Sequence, residues 1–184
     1  MMVKKYMIGL YVNNGTHASP EWVRIKKSTS LEISMNPETE DRDYIADVNA
    51  TTEVMRYKPS LNQPITMYKG EDDYEFAFPR FFNMGTGTDA KCEVMVIFMQ
   101  ESGEHTLPAE VGADPVTVTA YKAWQNEATL SFASLNGVDS TITMDINFGG
   151  TIAKGVAYPD ETTKKPVFVE DTSADSGWVD PFEA

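Results

Sequence analysis

The chain has 184 residues, of which 28 are acidic and 15 are basic, for a formal net charge of −13. This length is sufficient to bury the core of one domain, and 41% hydrophobic residues indicate a soluble globular protein. Tight binding to nucleic acid is not expected, because an acidic chain lacks the cations that displace counterions from phosphates. The charge is uneven, since residues 1–30 carry five basic residues and one acidic residue.

Neither a targeting segment nor a metal site is predicted. The stretch MMVKKYMIGLYVNNG is too short and interrupted for a signal peptide, and no run nears the roughly 18 apolar residues of a membrane span. We therefore expect synthesis in the cytoplasm and no membrane partner. The single cysteine, Cys92, lies in an apolar run and is predicted to be a buried thiol. His17 and His105 are far apart among polar residues, so we expect both at the surface.

In chain order, the first elements are an arm, a strand and a loop. Residues 1–19 are predicted to be an N-terminal arm. Apolar and polar residues then alternate along 22–35, which predicts a strand with one buried face. Pro37 ends this pattern, and residues 36–52 have the composition of a polar loop.

A helix is predicted over residues 71–84. Acidic residues at its start suit the positive end of the helix dipole, and Gly85 suits its end. Pro79 predicts a kink or a late start. One stripe of five residues at helical spacing is predicted to pack on a sheet, namely Tyr74, Ala77, Phe78, Phe81 and Phe82.

Strands account for most of the remaining chain. Pro59 and Pro64 indicate bulges or a sheet edge, because proline cannot donate to a strand ladder. The predicted strands are 54–68, 93–100, one long bent strand from 115–124 to 128–135, 140–148 and 149–158. Residues 159–184 are predicted to be an acidic C-terminal arm. The expected class is mainly β, a β-sandwich or partly open barrel with one flanking α-helix.

Signatures of catalysis are missing from the sequence. No glycine-rich phosphate loop follows a strand, and no nucleophile elbow is present. Carboxylates such as Asp72 and Asp73 could bind calcium or act as acid and base, but acidic loops of so acidic a chain are usually just solvated. We expect no enzyme activity, no catalytic residue, no metal and no cofactor.

The polar side of the alternating strands carries small hydroxylated, amide or acidic side chains. An ordinary solvated sheet face explains this composition. A smooth inner surface has the same composition, so both interpretations stay open at this point.

The order of several short strings is recognisable. NPETE, DYI, YKPS and YKGE precede the helix, FFNMGTGTDAKCEV follows, and then come AYKAWQNEATLSFASLNG and ITMDINFGGTIAKGVAY. In this order the chain resembles the major tail protein, or tail tube protein, of long-tailed bacteriophages, especially phages of Gram-positive bacteria. Phage-tail-like bacteriocins use the same subunit. The resemblance covers residues 20–158, which it implies to be the tail tube domain.

The resemblance implies a virion protein that forms stacked hexameric rings, with four strands of each copy in one barrel around a lumen. Its implied partners are further copies of itself, the tape measure protein and the tail terminator and initiator proteins, while viral DNA passes without specific binding. By this resemblance the long loop 36–55 reaches the adjacent ring, through Glu38, Glu40, Asp41, Arg42, Asp43, Tyr44, Asp47 and Asn49. The residues expected to face the lumen are Ser28, Ser30, Glu32, Ser34, Thr129, Ser131, Thr141, Thr143, Asp145 and Asn147.

Two functions other than a tail tube are compatible with a mainly β chain. A monomeric β-sandwich that binds carbohydrate or protein, in or outside a virion, could use Trp22, Trp124 and Trp178 as an exposed aromatic platform. An enzyme on a β scaffold is the third alternative, and the absence of catalytic motifs disfavours it.

Overall fold

The computed structural model describes residues 2–45, 49–107 and 116–170. Strands dominate this part of the chain, and all strand pairs of described register are antiparallel. The α-helix α1 spans Asp72–Asn83. The mainly β class and the helix predicted at 71–84 are therefore confirmed. The strands are β1 Ile8–Asn13, β2 Trp22–Arg24, β3 Ile33–Ser34, β4 Pro37–Arg42, β5 Thr51–Tyr57, β6 Ser60–Thr66, β7 Lys91–Leu107, β8 Val116–Asn136, β9 Thr141–Phe148, β10 Ala153–Pro159 and β11 Pro166–Glu170.

The first of two compact units comprises residues 1–26, 92–127 and 150–184. In its described part, β1 pairs with β2 and β7, and β10 pairs with β8 and β11. Four successive residues of β7, from Val94 to Ile97, are at most 4% exposed. A near-continuous apolar run is what a strand covered on both faces requires. Both faces of β7 are therefore covered along this stretch.

The second unit comprises residues 27–91 and 128–149. Its main sheet follows the order β8, β9, β6, β3. One face of this sheet is apolar, because residues such as Leu61, Ile142 and Ile146 alternate with polar neighbours and are at most 1% exposed. Helix α1 lies on this apolar face, where the ring of Phe81 contacts the ring of Phe132 edge to face at 6.1 Å. The opposite face of the sheet is polar.

The strand predicted at 22–35 is wrong over most of its length, since only β2 and β3 form. Segment 25–32 is instead held by isolated backbone contacts. The Lys27 N–H donates to the Asp73 carboxylate at 2.6 Å, the Thr66 N–H donates to the Lys27 carbonyl, and Ser28 bridges Ile65. Five polar residues in a row, from Lys26 to Ser30, leave little apolar surface to hold a continuous strand here.

The predicted arms and loop also contain strands. Residues 8–13, placed in the N-terminal arm 1–19, form β1, in which Leu10 and Val12 are 2% and 0% exposed against β7. Within the predicted C-terminal arm 159–184, residues 166–170 form β11 on β10, and residues 171–184 lie outside the described part. These strands are short, and their pairing with distant strands is not visible in local periodicity.

The predicted loop 36–52 instead contains β4 and the first two residues of β5, which pair as a hairpin. The predicted strand 54–68 is divided between β5 and β6, with a break at Lys58 and Pro59. Both prolines of that segment are accommodated, since Pro59 falls in the break and Pro64 lies within β6.

Other sequence predictions are confirmed by the structure. Strand β8 runs unbroken through 116–136, as predicted for one long strand, and Cys92 is buried. His17 lies at the surface as predicted, but His105 does not, since it is 4% exposed. Burial of its ring lowers the pKa of His105, because the interior disfavours the charged form. Among the described residues, no helix is long and apolar enough to cross a membrane.

Candidate functional site

The polar side of the second unit's sheet is built from rows of cross-strand partners. One row crosses all four strands, from Ser34 through Ser60 and Asn147 to Thr129. The remaining rows each cross β6, β9 and β8. We call this surface the polar face, and its members are Ser34, Ser60, Asn62, Pro64, Thr66, Thr129, Ser131, Ser134, Asn136, Thr141, Thr143, Asp145 and Asn147.

The side chains of the polar face are short and almost all uncharged. Within this set Asp145 alone is ionisable, and the Asn62 amide donates to its carboxylate at 2.5 Å. Hydroxyls and amides offer weak hydrogen bonds, and the set contains no lysine or arginine to hold a phosphate. Within this set, no side chain can form a salt bridge with an anion.

The structure brings together most of the residues predicted to face a lumen. Ser34, Thr129, Ser131, Thr141, Thr143, Asp145 and Asn147 all lie on the polar face. Ser28 and Ser30 do not, since they lie in the irregular segment before β3, where the Ser28 hydroxyl donates to the Ser30 carbonyl at 2.8 Å. Glu32 also lies just before β3, outside the strand.

Sequence reasoning missed the contribution of β6, which supplies Ser60, Asn62 and Thr66. The signal was present, because these residues alternate with apolar ones in SLNQPIT. Gln63 obscured this alternation, because it is a polar residue at an inward position, where it is 1% exposed. Its side-chain amide donates to the Asn62 carbonyl at 3.0 Å. A bulge between Phe132 and Ser134 likewise placed Ser134 on the polar face against the simple alternation.

A second candidate surface is the hairpin of β4 and β5, a separate two-stranded sheet. Of the residues predicted to reach an adjacent ring, Glu38, Glu40, Asp41 and Arg42 lie in β4, Asp43 and Tyr44 follow it, and Asn49 precedes β5. Asp47 lies outside the described residues. An isolated two-stranded hairpin is marginally stable in water, so this one gains from contact with another surface.

One face of the hairpin is charged and internally paired. Glu38 stands opposite Arg56 and Glu40 opposite Glu53. Glu38 forms ion pairs with Arg56 and Lys58, while the Arg42 guanidinium contacts the Glu53 carboxylate at 3.1 Å and the Glu40 carboxylate at 3.7 Å. Hydrogen bonds from Arg56 and Lys58 lower the pKa of Glu38 to about 2. This face is compensated within the chain.

The other face of the hairpin is open to solvent, with apolar side chains towards Pro37 and Tyr57 and polar ones at the end where Asp41 pairs with Thr52. Pro37 pairs with Tyr57, and Thr39 pairs with Val54, so these four side chains share one side. Val54 is 51% and Tyr57 56% exposed, and Met55, at the bulge, is 53% exposed. We call Pro37, Thr39, Val54 and Tyr57 the hairpin's apolar face. Apolar surface left open to solvent is typical of a contact site.

The helix presents a different face inward from the one predicted. Phe76 and Ala77 are 1% and 0% exposed, and the buried Asp73 accepts the Lys27 N–H. Of the predicted stripe, Ala77 is buried and Phe81 meets the sheet, but Phe82 is 71% exposed. Tyr74, Phe78 and Phe82 instead stack on one another, with ring centroids 5.3 and 6.3 Å apart. This aromatic ladder has helical spacing too, which is why it resembled a core stripe.

The tryptophan platform of the alternative binding module is not formed by the described residues. Trp22 is half-buried and packs against the cluster of Met95, Ile97, Ala123 and Ala157. Trp124 is also half-buried, with its ring edge to face with Phe98 at 5.0 Å. Trp178 lies outside the described residues.

Comparison with known proteins gives structural similarities only. No protein-family model matches the chain, and no curated protein does. Among solved structures, the tail of an empty GTA particle with C6 symmetry is 14% identical, with a TM-score of 0.48, and the alignment covers 83% of this chain and 98% of that one.

Two further similar structures are caps or terminators. The tube-terminating cap of the anti-feeding prophage is 14% identical with a TM-score of 0.44, over 83% of this chain and 91% of that one. The sheath/tube terminator of the extracellular contractile injection system PVC is 12% identical with a TM-score of 0.41, over 84% and 96%. TM-scores below 0.5 do not establish a shared fold, so the function proposed below rests on this chain's own residues.

Proposed function

We propose that this protein is the subunit of a phage tail tube, which assembles into stacked hexameric rings and conducts DNA into the host cell. The observation that carries the proposal is the two-sided sheet of the second unit. One side is apolar and holds α1, and the other is the polar face, whose single ionisable residue is Asp145. The resemblance of residues 20–158 to tail tube proteins supports the same function.

The sheet has the means to continue into a neighbouring copy. β3 is only two residues long and stands at the end of the sheet order. Unpaired strand edges bind other strands, and a closed head-to-tail ring pairs every such edge. In the proposed ring, the four strands of each copy join those of its neighbours into one barrel.

The dimensions of such a ring suit a DNA conduit. Six copies of four strands give some two dozen strands, which at about 4.8 Å spacing and with the usual tilt enclose a backbone diameter of roughly 40–50 Å. After subtraction of the side chains, this bore passes a duplex roughly 20 Å across. Short side chains on the polar face keep the bore open.

The charge of the bore suits release rather than binding. In the proposed ring every copy presents the Asp145 carboxylate, and the polar face supplies no cation. Phosphates are then weakly repelled along the whole tube. The proposed lumen is lined by the residues of the polar face, and Glu32 lies next to this surface. Ser28 and Ser30 are not part of the proposed lumen.

The hairpin of β4 and β5 is the proposed contact between rings. It forms a separate two-stranded sheet, and its apolar face is open to solvent. The tape measure protein and the tail terminator and initiator proteins are the other proposed partners in the virion. A host among Gram-positive bacteria stays a prediction from the sequence resemblance.

Electron microscopy of the purified protein over a concentration series tests this function. We expect tubes of uniform diameter with a central bore wide enough for a DNA duplex. Particles of 20.5 kDa at every concentration, with and without added tail initiator proteins, would exclude it. Size-exclusion chromatography of the same samples distinguishes rings from monomers.

A further inference from the structure

We propose that the hairpin's apolar face docks on the N-terminal surface of a second copy of this chain, a contact that rests on the proposed function and names its receptor site. The N-terminal surface consists of Met2, Val3, Lys4, Tyr6 and Arg24.

The two faces of the hairpin differ in whether their side chains already have partners within the chain. On the charged face Glu38, Glu53 and Arg42 already have ion-pair partners inside the hairpin. On the apolar face Val54 and Tyr57 leave more than half of their surface in water. Covering apolar surface is favourable in proportion to area, whereas a paired charged face gains little from a new partner. The apolar face is therefore the side that docks.

Charge selects where on a second copy this face can dock. Residues 37–57 carry six acidic and two basic residues, so the hairpin is negative and its copy, at −13, is negative as a whole. Asp41 lies at the far end of the apolar face, where its carboxylate accepts from the Thr52 hydroxyl at 2.7 Å. An acidic element approaches a copy of its own chain with least repulsion where the copy is basic. Residues 1–30, with five basic residues and one acidic, are that region.

The basic region also exposes the apolar surface that the hairpin requires. Met2 is 83%, Val3 51% and Tyr6 63% exposed. Two cations stand beside them, since the Lys4 ammonium lies 5.8 Å from the centre of the Tyr6 ring and the Arg24 guanidinium donates to the Tyr6 carbonyl at 3.4 Å. The N-terminal surface thus combines apolar side chains with positive charge, as the hairpin combines apolar side chains with negative charge.

A contact between two different surfaces has a consequence for assembly. Each copy offers one hairpin and one N-terminal surface, so each copy joins two others, one at each surface. Such head-to-tail contacts repeat without limit unless they close on themselves. A stack of rings is built by contacts of this kind.

Cysteine cross-linking of the assembled protein tests the contact. In the double variant Val3→Cys with Val54→Cys, mild oxidation is expected to give a ladder of dimers, trimers and longer species on a denaturing gel without reductant. The native thiol does not compete, because Cys92 is buried. The matched control pairs Val3→Cys with Glu53→Cys, which adjoins Val54 on the charged face and is expected to give no ladder.

The possible outcomes distinguish a failure of the proposed docking contact from a failure of the proposed tube function. A ladder specific to Val54→Cys supports the proposal, and dimers alone overturn its head-to-tail form. Tubes in the microscope with no ladder, or with equal ladders in both variants, overturn the docking site and leave the tube function standing. Absence of tubes from the unmodified chain removes the function and this contact together.

A charge exchange provides a second measurement that needs no cysteine. Lys4→Glu is expected to raise the protein concentration at which tubes appear by about fivefold, as for the loss of an exposed ion pair and its replacement by repulsion. Adding Asp41→Lys to this variant is expected to restore assembly. Failure of Asp41→Lys to rescue Lys4→Glu, with both variants folded by circular dichroism, counts against the contact.

Discussion

The side-chain amide of Asn62 in β6 donates a hydrogen bond to the Asp145 carboxylate in β9 across 2.5 Å, and the two residues are direct cross-strand partners. The negative charge of Asp145 is thus oriented by an amide dipole, and no cation of the polar face neutralises it. In the proposed tube this carboxylate is the charge that DNA meets in every copy.

Replacement of Asp145 by lysine is expected to convert a surface that does not hold DNA into one that binds it. Tubes of Asp145→Lys should form normally, because the side chain lies on the polar face and not in the core, but they should retain duplex DNA. Cosedimentation of tubes with labelled duplex at low salt measures this, and the retention should fall steeply as salt is added. The control Asp145→Asn removes the charge without adding a cation and should retain no DNA. Equal DNA retention by the lysine variant and the native protein would contradict the assignment of this face to the bore.

Two neighbouring residues of β9 test the two-sided sheet. Ile146 is 0% exposed on the apolar face, and Ile146→Ala is expected to lower the free energy of unfolding by about 2–5 kcal/mol. Asn147 points to the polar face, and Asn147→Ala should change it by less than about 0.5 kcal/mol. Urea denaturation followed by circular dichroism measures both. Similar losses in the two variants would mean that the polar face is itself packed within the subunit.

The corrected orientation of the helix can be tested in the same way. Phe76 is 1% exposed and the Arg80 guanidinium lies 3.9 Å from the centre of its ring, so Phe76→Ala is expected to cost about 3–5 kcal/mol. Phe82 is 71% exposed, and Phe82→Ala should cost less than about 1 kcal/mol. A larger loss of thermal stability in Phe82→Ala than in Phe76→Ala would instead support the inward-facing stripe that was predicted from the sequence.

The pH dependence of the hairpin follows from Glu38. Arg56 and Lys58 lower its pKa from 4.5 to about 2, so its stabilising effect is fully present above pH 4.5 and is lost as the pH falls towards 2. The protection factors of the β4 and β5 amides, which are hydrogen-exchange rates corrected for the intrinsic rate at each pH, are expected to fall over this acid range. Glu38→Gln should abolish that pH-dependent loss of protection while leaving the chain folded at neutral pH. An unchanged acid response in this variant would assign the effect to other carboxylates.

Several elements were determined by local sequence alone. The alternation of Thr141, Ile142, Thr143 and Met144 predicted both β9 and its polar side, because a strand's side chains alternate whatever it pairs with. The extent of α1 was predictable for a similar reason, since acidic residues at its start and Gly85 beyond its end act within one turn.

Other features were decided only by tertiary contacts. Aromatic residues lie on more than one side of α1. The side that carries Phe76 and the buried Asp73, which accepts the Lys27 N–H, faces inward, and Phe82 stays outside. Strand β1 exists because Leu10 and Val12 meet β7 more than eighty residues along the chain. Periodicity shows which residues share one side of a helix or strand. Partners distant in sequence decide which side is buried and whether a short segment finds a strand to pair with.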